Sequence, residues 1–266
     1  MLRILGNLEN GYNELINMDT ISQDMLMDIG VQKISKGEAI VFFEDDKEIV
    51  LSLMEGKLIF KCGDINIEAS RRSVFDEDPQ VLHFPRKVKA VVEAIDDCEI
   101  LVQKTTNANS FTPKFYGGLD CRHASWGEGI WDETAKRNVR FIIEYKTAPY
   151  SNLVMGEVVN FPGRWSTFPP HTHDQPEVYF YRFNNENGFG AGFVGDKVFR
   201  TQHNSATCIP CGNIHPQVSI PGYPMYYCWM MRHLDDNPFS NTKATKHEDE
   251  RYQWLSEENA KIWPDK

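Results

Sequence analysis

Basic residues are scarce in this chain relative to acidic ones. Its 266 residues include 28 Lys and Arg against 38 Asp and Glu, which gives a formal net charge of −10. Nucleic acids and anionic membranes are bound by basic surfaces, so we expect neither as a partner. A small acidic ligand stays compatible with this charge, because it needs only one or two local cations.

Long apolar runs are also missing. Residues 40–43 and 226–231 form the longest ones, far short of the roughly 20 residues that a membrane-spanning helix needs. Near the amino terminus, Asn7, Glu9 and Asn10 interrupt the apolar stretch that a secretory leader requires. The sequence therefore predicts a cytoplasmic protein with no membrane segment.

Cysteine is present, but not in a pattern that indicates a disulfide framework or a zinc finger. The chain has six cysteines, and in a cytoplasmic protein of this size we expect them to be reduced. Cys208 and Cys211 form a Cys-x-x-Cys pair without a second pair at zinc-binding spacing. Pro210 and Gly212 instead predict that this segment leads from a strand into a turn.

Short β-rich runs with glycine and proline between them dominate the chain, which predicts an all-β fold of the sandwich or barrel type. The two halves repeat a similar layout on either side of a polar stretch at residues 105–129. We therefore predict two tandem jelly-roll-type barrels, residues 1–120 and 121–266. Helix is predicted only at residues 250–261, as a short C-terminal helix, and at residues 22–29.

A compact group of metal-ligating residues lies in the second half. His171 and His173 are two apart, so in a strand they project from one face, and Glu177 shares their parity. His215 follows a Pro-x-Gly turn and can supply a fourth ligand from another strand. Three imidazoles and a carboxylate are typical ligands of zinc, manganese or iron, and they leave coordination positions open for a substrate.

These two segments resemble the paired motifs of the cupin superfamily. The chain keeps the motif residues Gly163, His171, His173, Glu177, Pro210, Gly212 and His215. It departs at Asn204 and Ser219, where the second motif has Gly and Asn, and these departures affect turns rather than ligands. The resemblance implies a bicupin fold.

A closer resemblance is to the 5-deoxy-glucuronate isomerases of inositol catabolism. It rests on residues 165–174, 177–182, 188–190 and 215–227, and on the Arg-Arg-Ser-Val-Phe run at 71–75. The 5-keto-4-deoxyuronate isomerases share the His-Thr-His and Glu-Val-Tyr-Phe-Tyr pieces, but they usually place four residues between the second His and the Glu. This chain has three. In this group the first barrel has lost its metal, and residues 30–104 here contain one histidine, His83, and no His-x-His.

The resemblance implies an aldose–ketose isomerase that converts 5-deoxy-D-glucuronate to 5-dehydro-2-deoxy-D-gluconate through a metal-stabilised enediolate. It implies one divalent metal ion, with zinc as the first choice and Mn²⁺ or Fe²⁺ as alternatives. Glu177 is the candidate base, with a hydroxide supplied by the metal as the alternative. Tyr179 and Tyr181 share its strand parity and are candidate hydrogen-bond donors, although core packing explains them equally well.

The substrate carboxylate calls for a fixed cation. Arg182 and Arg164 lie nearest the motif in sequence and are the candidates, although both have the wrong parity for an inward position on a regular strand. Arg140 and Arg232 are further candidates. We expect a small acidic sugar as the ligand and a homo-oligomer as the assembly.

Other functions stay open at this point. The 5-keto-4-deoxyuronate isomerase reaction is one alternative. A cupin dioxygenase is another, since open positions on such a metal also accept O₂. A sugar-binding cupin without enzymatic activity is the third, and fold alone does not decide among them.

Overall fold

The structure is a computed structural model, and it describes residues 1–257 and 260–263. Strands dominate these residues. The strands are β1 (Leu2–Ile4), β2 (Gly11–Ile16), β3 (Asp28–Ile34), β4 (Ala39–Phe42), β5 (Lys47–Cys62), β6 (Ile65–Arg71), β7 (Val81–Phe84), β8 (Ala90–Ala94), β9 (Cys98–Thr106), β10 (Lys114–Tyr116), β11 (Arg122–Trp126), β12 (Arg137–Ile143), β13 (Leu153–Asn160), β14 (Trp165–Ser166), β15 (His171–Thr172), β16 (Glu177–Phe183), β17 (Phe189–Val194), β18 (Lys197–Gln202), β19 (Ser205–Ile209), β20 (Gln217–Ser219), β21 (Met225–Arg232) and β22 (His247–Glu248). The all-β prediction is confirmed.

Helix is limited, within the described residues, to short 3-10 segments: Gln23–Met25, Gly118–Asp120, Trp131–Glu133 and Glu250–Ser256. The predicted helix over residues 22–29 is wrong. After one 3-10 turn, Leu26 adopts a left-handed conformation, and residues 28–34 then pair with β9 as a strand. The predicted C-terminal helix is present as a 3-10 helix that ends at Ser256, short of the predicted residue 261, and residues 258 and 259 of the predicted range lie outside the described residues. None of the described helices has the length and apolar character needed to cross a membrane.

The chain divides into two compact units. The first unit comprises Leu5–Arg122 and Arg140–Met155, and the second comprises Met1–Ile4, His123–Val139 and the chain from Gly156 onward. The chain passes between the units inside β12 and β13. Two tandem barrels with a boundary at residue 120 stay a prediction.

The long strand β5 organises the first unit. Its first part pairs with β7 and β9, and its last part pairs with β6 and β8. Gly56 lies inside β5, where the chain bends and continues as a strand. Gly56 has φ +113, and a Cβ there would lie 2.4 Å from the carbonyl oxygen of Asp97. Only glycine fits this bend, because it combines a positive φ with a close backbone approach.

The first unit's core is apolar, with a buried polar network beside it. Alternate residues of β5, among them Ile49 and Leu51, are fully buried in the core cluster. Glu48 is also fully buried, and its carboxylate lies 2.8 Å from Nε2 of His83. Glu48 accepts further hydrogen bonds from a side-chain amide, a hydroxyl and a backbone N–H. His83 therefore belongs to a packed polar network.

In the second unit, β16 lies between β19 and β21, and a separate four-stranded sheet has the order β14-β20-β17-β18. All seven residues of β16 are buried. Because side chains alternate along a strand, Glu177, Tyr179 and Tyr181 share one face of β16. Phe180 and Arg182 lie on the other face. This strand sets which side chains surround the site.

Candidate metal centre

Three histidines from two segments of the second unit meet at one point. His171 lies in β15, His173 follows directly after that strand, and His215 lies between β19 and β20. One ring nitrogen from each lies within 4.8 Å of the others. His173 and His215 are buried, and His171 is partly buried. These predicted ligands are therefore neighbours in space.

Glu177 joins the histidines through a turn of the chain. Strand β15 ends at Thr172 and β16 begins at Glu177. The alternation of side chains along one strand therefore does not explain why Glu177 faces the histidines. Residues 173–176 form the turn, and Gln175 anchors it by donating from Nε2 to the carbonyl oxygen of Asn237 at 2.7 Å. The Oε2 atom of Glu177 lies 3.2 Å from Nε2 of both His173 and His215. The structure thus brings all four predicted ligands together.

The Pro-x-Gly turn positions His215. Gly212 has φ +74, a conformation that favours glycine, and its N–H donates to the carbonyl oxygen of His173 at 2.9 Å. The side-chain amide of Asn213 closes the turn by donating to the carbonyl oxygen of Pro210 at 3.0 Å. The strand-to-turn prediction for this segment is confirmed, and the two ligand-bearing loops are joined by a backbone hydrogen bond. None of the six cysteines, all of which lie within the described residues, forms a disulfide.

Each imidazole is oriented by a backbone carbonyl two residues away, to which its Nδ1–H can donate. The Nδ1 to carbonyl-oxygen distances are 3.1 Å from His171 to Pro169, 2.9 Å from His173 to Gln175 and 2.7 Å from His215 to Asn213. A proton on Nδ1 leaves the lone pair of a neutral imidazole on Nε2. All three rings are therefore held in the tautomer that ligates a metal through Nε2.

The cluster has acceptors but lacks a donor between them. With Nδ1 protonated, the Nε2 atoms and the Glu177 carboxylate all present lone pairs to one another. The Nε2 atom of His215 is buried and makes no hydrogen bond within the described part of the chain. Converging lone pairs in a buried site are stabilised by a shared cation, so the donor set fits one divalent metal ion. Nitrogen and carboxylate donors suit zinc, manganese and iron alike, and the geometry does not select among them.

Burial and charge shift the pKa values of the cluster. Burial alone would raise the pKa of Glu177, but the adjacent His173 and His215 imidazoles overcome it and lower that pKa to about 2. Burial, followed by the neighbouring His215 and Lys246, lowers the pKa of His171 well below its usual range. Glu177 is therefore ionised and His171 is neutral at neutral pH, the charge state in which a carboxylate and an imidazole bind metal.

Tyrosines and hydroxyls line the same side of β16. The Tyr179 ring lies 5.9 Å from that of His215, and its hydroxyl is 3.2 Å from Oγ1 of Thr167. Tyr181 is fully buried, and in the described part of the chain its hydroxyl makes no hydrogen bond. Tyr227 lies against both rings, at 4.8 Å from Tyr179 and 6.1 Å from Tyr181. Burial raises the pKa of all three phenols, so they are protonated donors at neutral pH.

The arginines predicted to hold a carboxylate are not among the contacts of this cluster. Arg182 lies on the opposite face of β16, 3.4 Å from Nε2 of His203. Arg164 is half-buried, and its guanidinium makes no hydrogen bond within the described residues. Arg232 pairs with an exposed aspartate, and Arg140 lies in the first unit. A substrate-binding role for Arg182 and Arg164 stays a prediction.

Two other cations, which the sequence motif did not indicate, lie close to the cluster. Arg137 begins β12 and donates from Nη2 to the carbonyl oxygen of Phe168 at 3.0 Å, in the segment that leads to His171. Lys246 directly precedes β22, the strand that pairs with β15. Burial lowers the pKa of Arg137, whereas Tyr227 and Tyr179 raise it. Neither cation has a sequence signal, because each comes from a distant segment.

Solved structures share this fold. An IolB-like protein from Salmonella typhimurium LT2 superposes with a TM-score of 0.85 over 97% of this chain and 99% of its own, at 21% identity. An oxalate decarboxylase from Lactobacillus farciminis, in complex with formate, gives a TM-score of 0.67 over 97% of this chain and 90% of its own, at 12% identity. The fold is cupin-like, and the histidine–glutamate cluster makes the protein a cupin-like protein with a candidate metal centre.

Sequence comparison narrows this class to one family. The model of the KduI/IolB family matches residues 6–255, and the chain belongs to that family. It is 26% identical over 249 residues to the 5-deoxy-glucuronate isomerase of Geobacillus kaustophilus, covering 85% of this chain and 84% of that protein. It is 24% identical over 243 residues to the 5-deoxy-glucuronate isomerase of Bacillus subtilis strain 168, covering 84% and 88%.

Proposed function

We propose that this protein isomerises 5-deoxy-D-glucuronate to 5-dehydro-2-deoxy-D-gluconate. The observation that carries the proposal is the buried cluster of three imidazole Nε2 atoms and the Glu177 carboxylate, in a chain whose curated relatives bear the name of this isomerase. A divalent ion held by His171, His173, Glu177 and His215 would polarise the substrate carbonyl and stabilise a developing oxyanion.

The chain's own groups supply the proton transfer. A proton leaves the carbon next to the aldehyde and a proton returns to the former aldehyde carbon, while the hydroxyl proton passes between the two oxygens. Glu177 is the proposed base, because it is ionised and faces the interior of the site. Tyr179 and Tyr181 are proposed donors to the enediolate oxygens, since both phenols are protonated and share the face of Glu177.

The proposal also covers the domain organisation, the role of His83, the location and the assembly of the protein. Two tandem barrels are proposed, with the metal held by the second. The bonding of His83 to Glu48 supports a structural role for that histidine. A cytoplasmic location and a homo-oligomeric assembly stay predictions.

The test is an NMR time course of the purified protein in D₂O with 5-deoxy-D-glucuronate and, separately, with 5-keto-4-deoxyuronate. We expect conversion of the first substrate, with deuterium entering the terminal hydroxymethyl carbon of the product. Partial labelling is compatible, because a shielded base can return the same proton. Faster conversion of 5-keto-4-deoxyuronate would transfer the proposal to that reaction. No conversion of either, or consumption of O₂, would refute it.

A further inference from the structure

Arg137 is a buried cation without a matching anion. Only 5% of its surface is exposed, and within the described residues no carboxylate lies at ion-pair distance from its guanidinium. Arginine is rarely buried unless it is paired, because a charge removed from water needs compensation. A buried guanidinium without an anionic partner therefore indicates a place for an anion that the chain does not itself supply.

The contacts that Arg137 does make orient it without neutralising it. Its Nη1 donates to the carbonyl oxygen of Ala135 at 2.8 Å, and its Nη2 donates to that of Phe168 at 3.0 Å. Its guanidinium lies 5.2 Å from the ring centroid of Trp126. Both acceptors are uncharged, and they use two of the five N–H donors that a guanidinium carries. The group is held in place with donors to spare.

Arg137 lies next to the metal cluster. Its acceptor Phe168 follows Thr167, whose hydroxyl is 3.2 Å from that of Tyr179. Tyr179 in turn lies 5.9 Å from the ring of His215. All these residues belong to the second unit. An anion bound by Arg137 would therefore lie on the tyrosine side of the site.

Lys246 provides a second positive charge at the cluster. It directly precedes His247, which pairs with Thr172 between the two histidines of the His-x-His motif. Its side chain is largely buried, and its Nζ lies 3.9 Å from Oε1 of Glu248, the limit of an ion pair. Two basic side chains beside the cluster make this part of the site attractive to an anion.

We propose that Arg137, assisted by Lys246, is the subsite that binds the carboxylate of the sugar-acid substrate. A carboxylate matches the planar fork of a guanidinium, and burial strengthens such a charge-assisted pair. This inference rests on the proposed function for the identity of the substrate. It assigns the role to Arg137 in place of Arg182 and Arg164.

The test compares an anionic and a neutral substrate. The neutral one is 5-deoxy-D-glucose, which carries a hydroxymethyl group where 5-deoxy-D-glucuronate carries its carboxylate. Arg137→Met should lower kcat/KM for the uronate about 10- to 100-fold, the usual loss for a charged hydrogen-bond partner, and should leave the neutral sugar unchanged. Lys246→Met should lower kcat/KM for the uronate in the same way but more weakly. Arg137→Lys should retain part of the preference for the uronate over the neutral sugar. Metal content by elemental analysis should stay at the wild-type level.

Arg200→Met is the matched control, because Arg200 is exposed and lies against Phe189 in the same unit. It should keep the wild-type preference. Equal losses on both substrates, loss of metal from Arg137→Met, or loss of the preference in Arg182→Met or Arg164→Met would overturn the assignment.

Failure of the proposed function can be told apart from failure of this subsite. If the wild-type protein isomerises neither substrate, calorimetric titration with D-glucuronate and D-glucose still tests the anion site on the metal-loaded protein. Tighter binding of D-glucuronate that is lost in Arg137→Met would support the subsite. Equal binding of the two sugars by the wild type would refute it.

Discussion

Removing two of the three histidines should separate metal binding from folding. In His171→Ala/His173→Ala, Glu177 and His215 remain, so half of the ligand set is lost. We expect wild-type protein to bind about one divalent ion per chain, as a four-ligand site predicts, and the double variant to bind none. The change acts on the unfolding free energy in two ways that can be measured independently.

The first effect is on how steeply the unfolding free energy rises with the free metal concentration. A metal that binds only the folded state raises the unfolding free energy by about 2.7 kcal/mol at 100 times its Kd and about 4.1 kcal/mol at 1,000 times. Wild-type protein should therefore gain about 1.4 kcal/mol for each tenfold rise in free zinc, and the double variant should gain nothing. The second effect is a loss of unfolding free energy that does not depend on metal. His173 is buried and bonded to the Gln175 carbonyl, so its loss should cost about 1–3 kcal/mol even with chelator present.

The assay is urea unfolding at a series of buffered free-zinc concentrations, repeated with Mn²⁺ and Fe²⁺. His123→Ala is the control, since it removes an exposed imidazole from β11 and should keep the wild-type slope. A double variant that retains the wild-type slope, or that retains one tightly bound ion, would show that these histidines are not the ligands. Two tightly bound ions in the wild type, one of them in the first unit, would contradict a metal-free first barrel.

Four further substitutions test separate parts of the structure. Glu177→Gln should lower turnover about 100-fold or more, the usual scale for loss of a general base. The metal content of the variant must be measured as well. Near-normal turnover with metal bound would eliminate Glu177 as the base. Tyr181→Phe should change the unfolding free energy by less than about 1 kcal/mol, because the Tyr181 hydroxyl makes no hydrogen bond in the described part of the chain. The same variant should slow turnover. Unchanged activity would show that Tyr181 does not take part in the reaction. Glu48→Gln should destabilise the protein by about 1–3 kcal/mol in urea unfolding, since one oxygen that accepts buried hydrogen bonds is replaced by a donor, and a midpoint equal to wild type would argue against that network. Gly56→Ala should cost about 3 kcal/mol, because its φ of +113 is strained for alanine and its Cβ would approach the Asp97 carbonyl oxygen to 2.4 Å; a midpoint equal to wild type would disprove the bend.

Local spacing allowed much of this site to be predicted. His171 and His173 are close in sequence, so their proximity follows from backbone geometry over a few residues. The same holds for the shared face of Glu177, Tyr179 and Tyr181, because β16 is a regular strand. The Pro-x-Gly turn before His215 is likewise local, since only a few residues decide a turn.

Local spacing misled where pairing partners decided the outcome. Residues 22–29 contain good helix formers, but the chain from Asp28 pairs with β9, and sheet pairing outweighed local preference. Glycine inside a strand usually weakens it, yet β5 continues through Gly56, bends there and takes new partners. Tertiary contacts override local propensity because they bury far more apolar surface than any one segment can bury by itself.

By itself, the sequence determined the strand-rich fold, the candidate ligand residues and the face of β16 that lines the candidate site, because each depends on neighbours within a few residues. Only the tertiary structure decided that Arg137 and Lys246 lie beside these ligands and that Arg182 does not contact them. Residues far apart in sequence meet through the order and register of strands, and a one-residue shift of register turns every side chain of a strand to its other face. The positions of the cations around the metal centre therefore follow from strand pairing, which no local motif encodes.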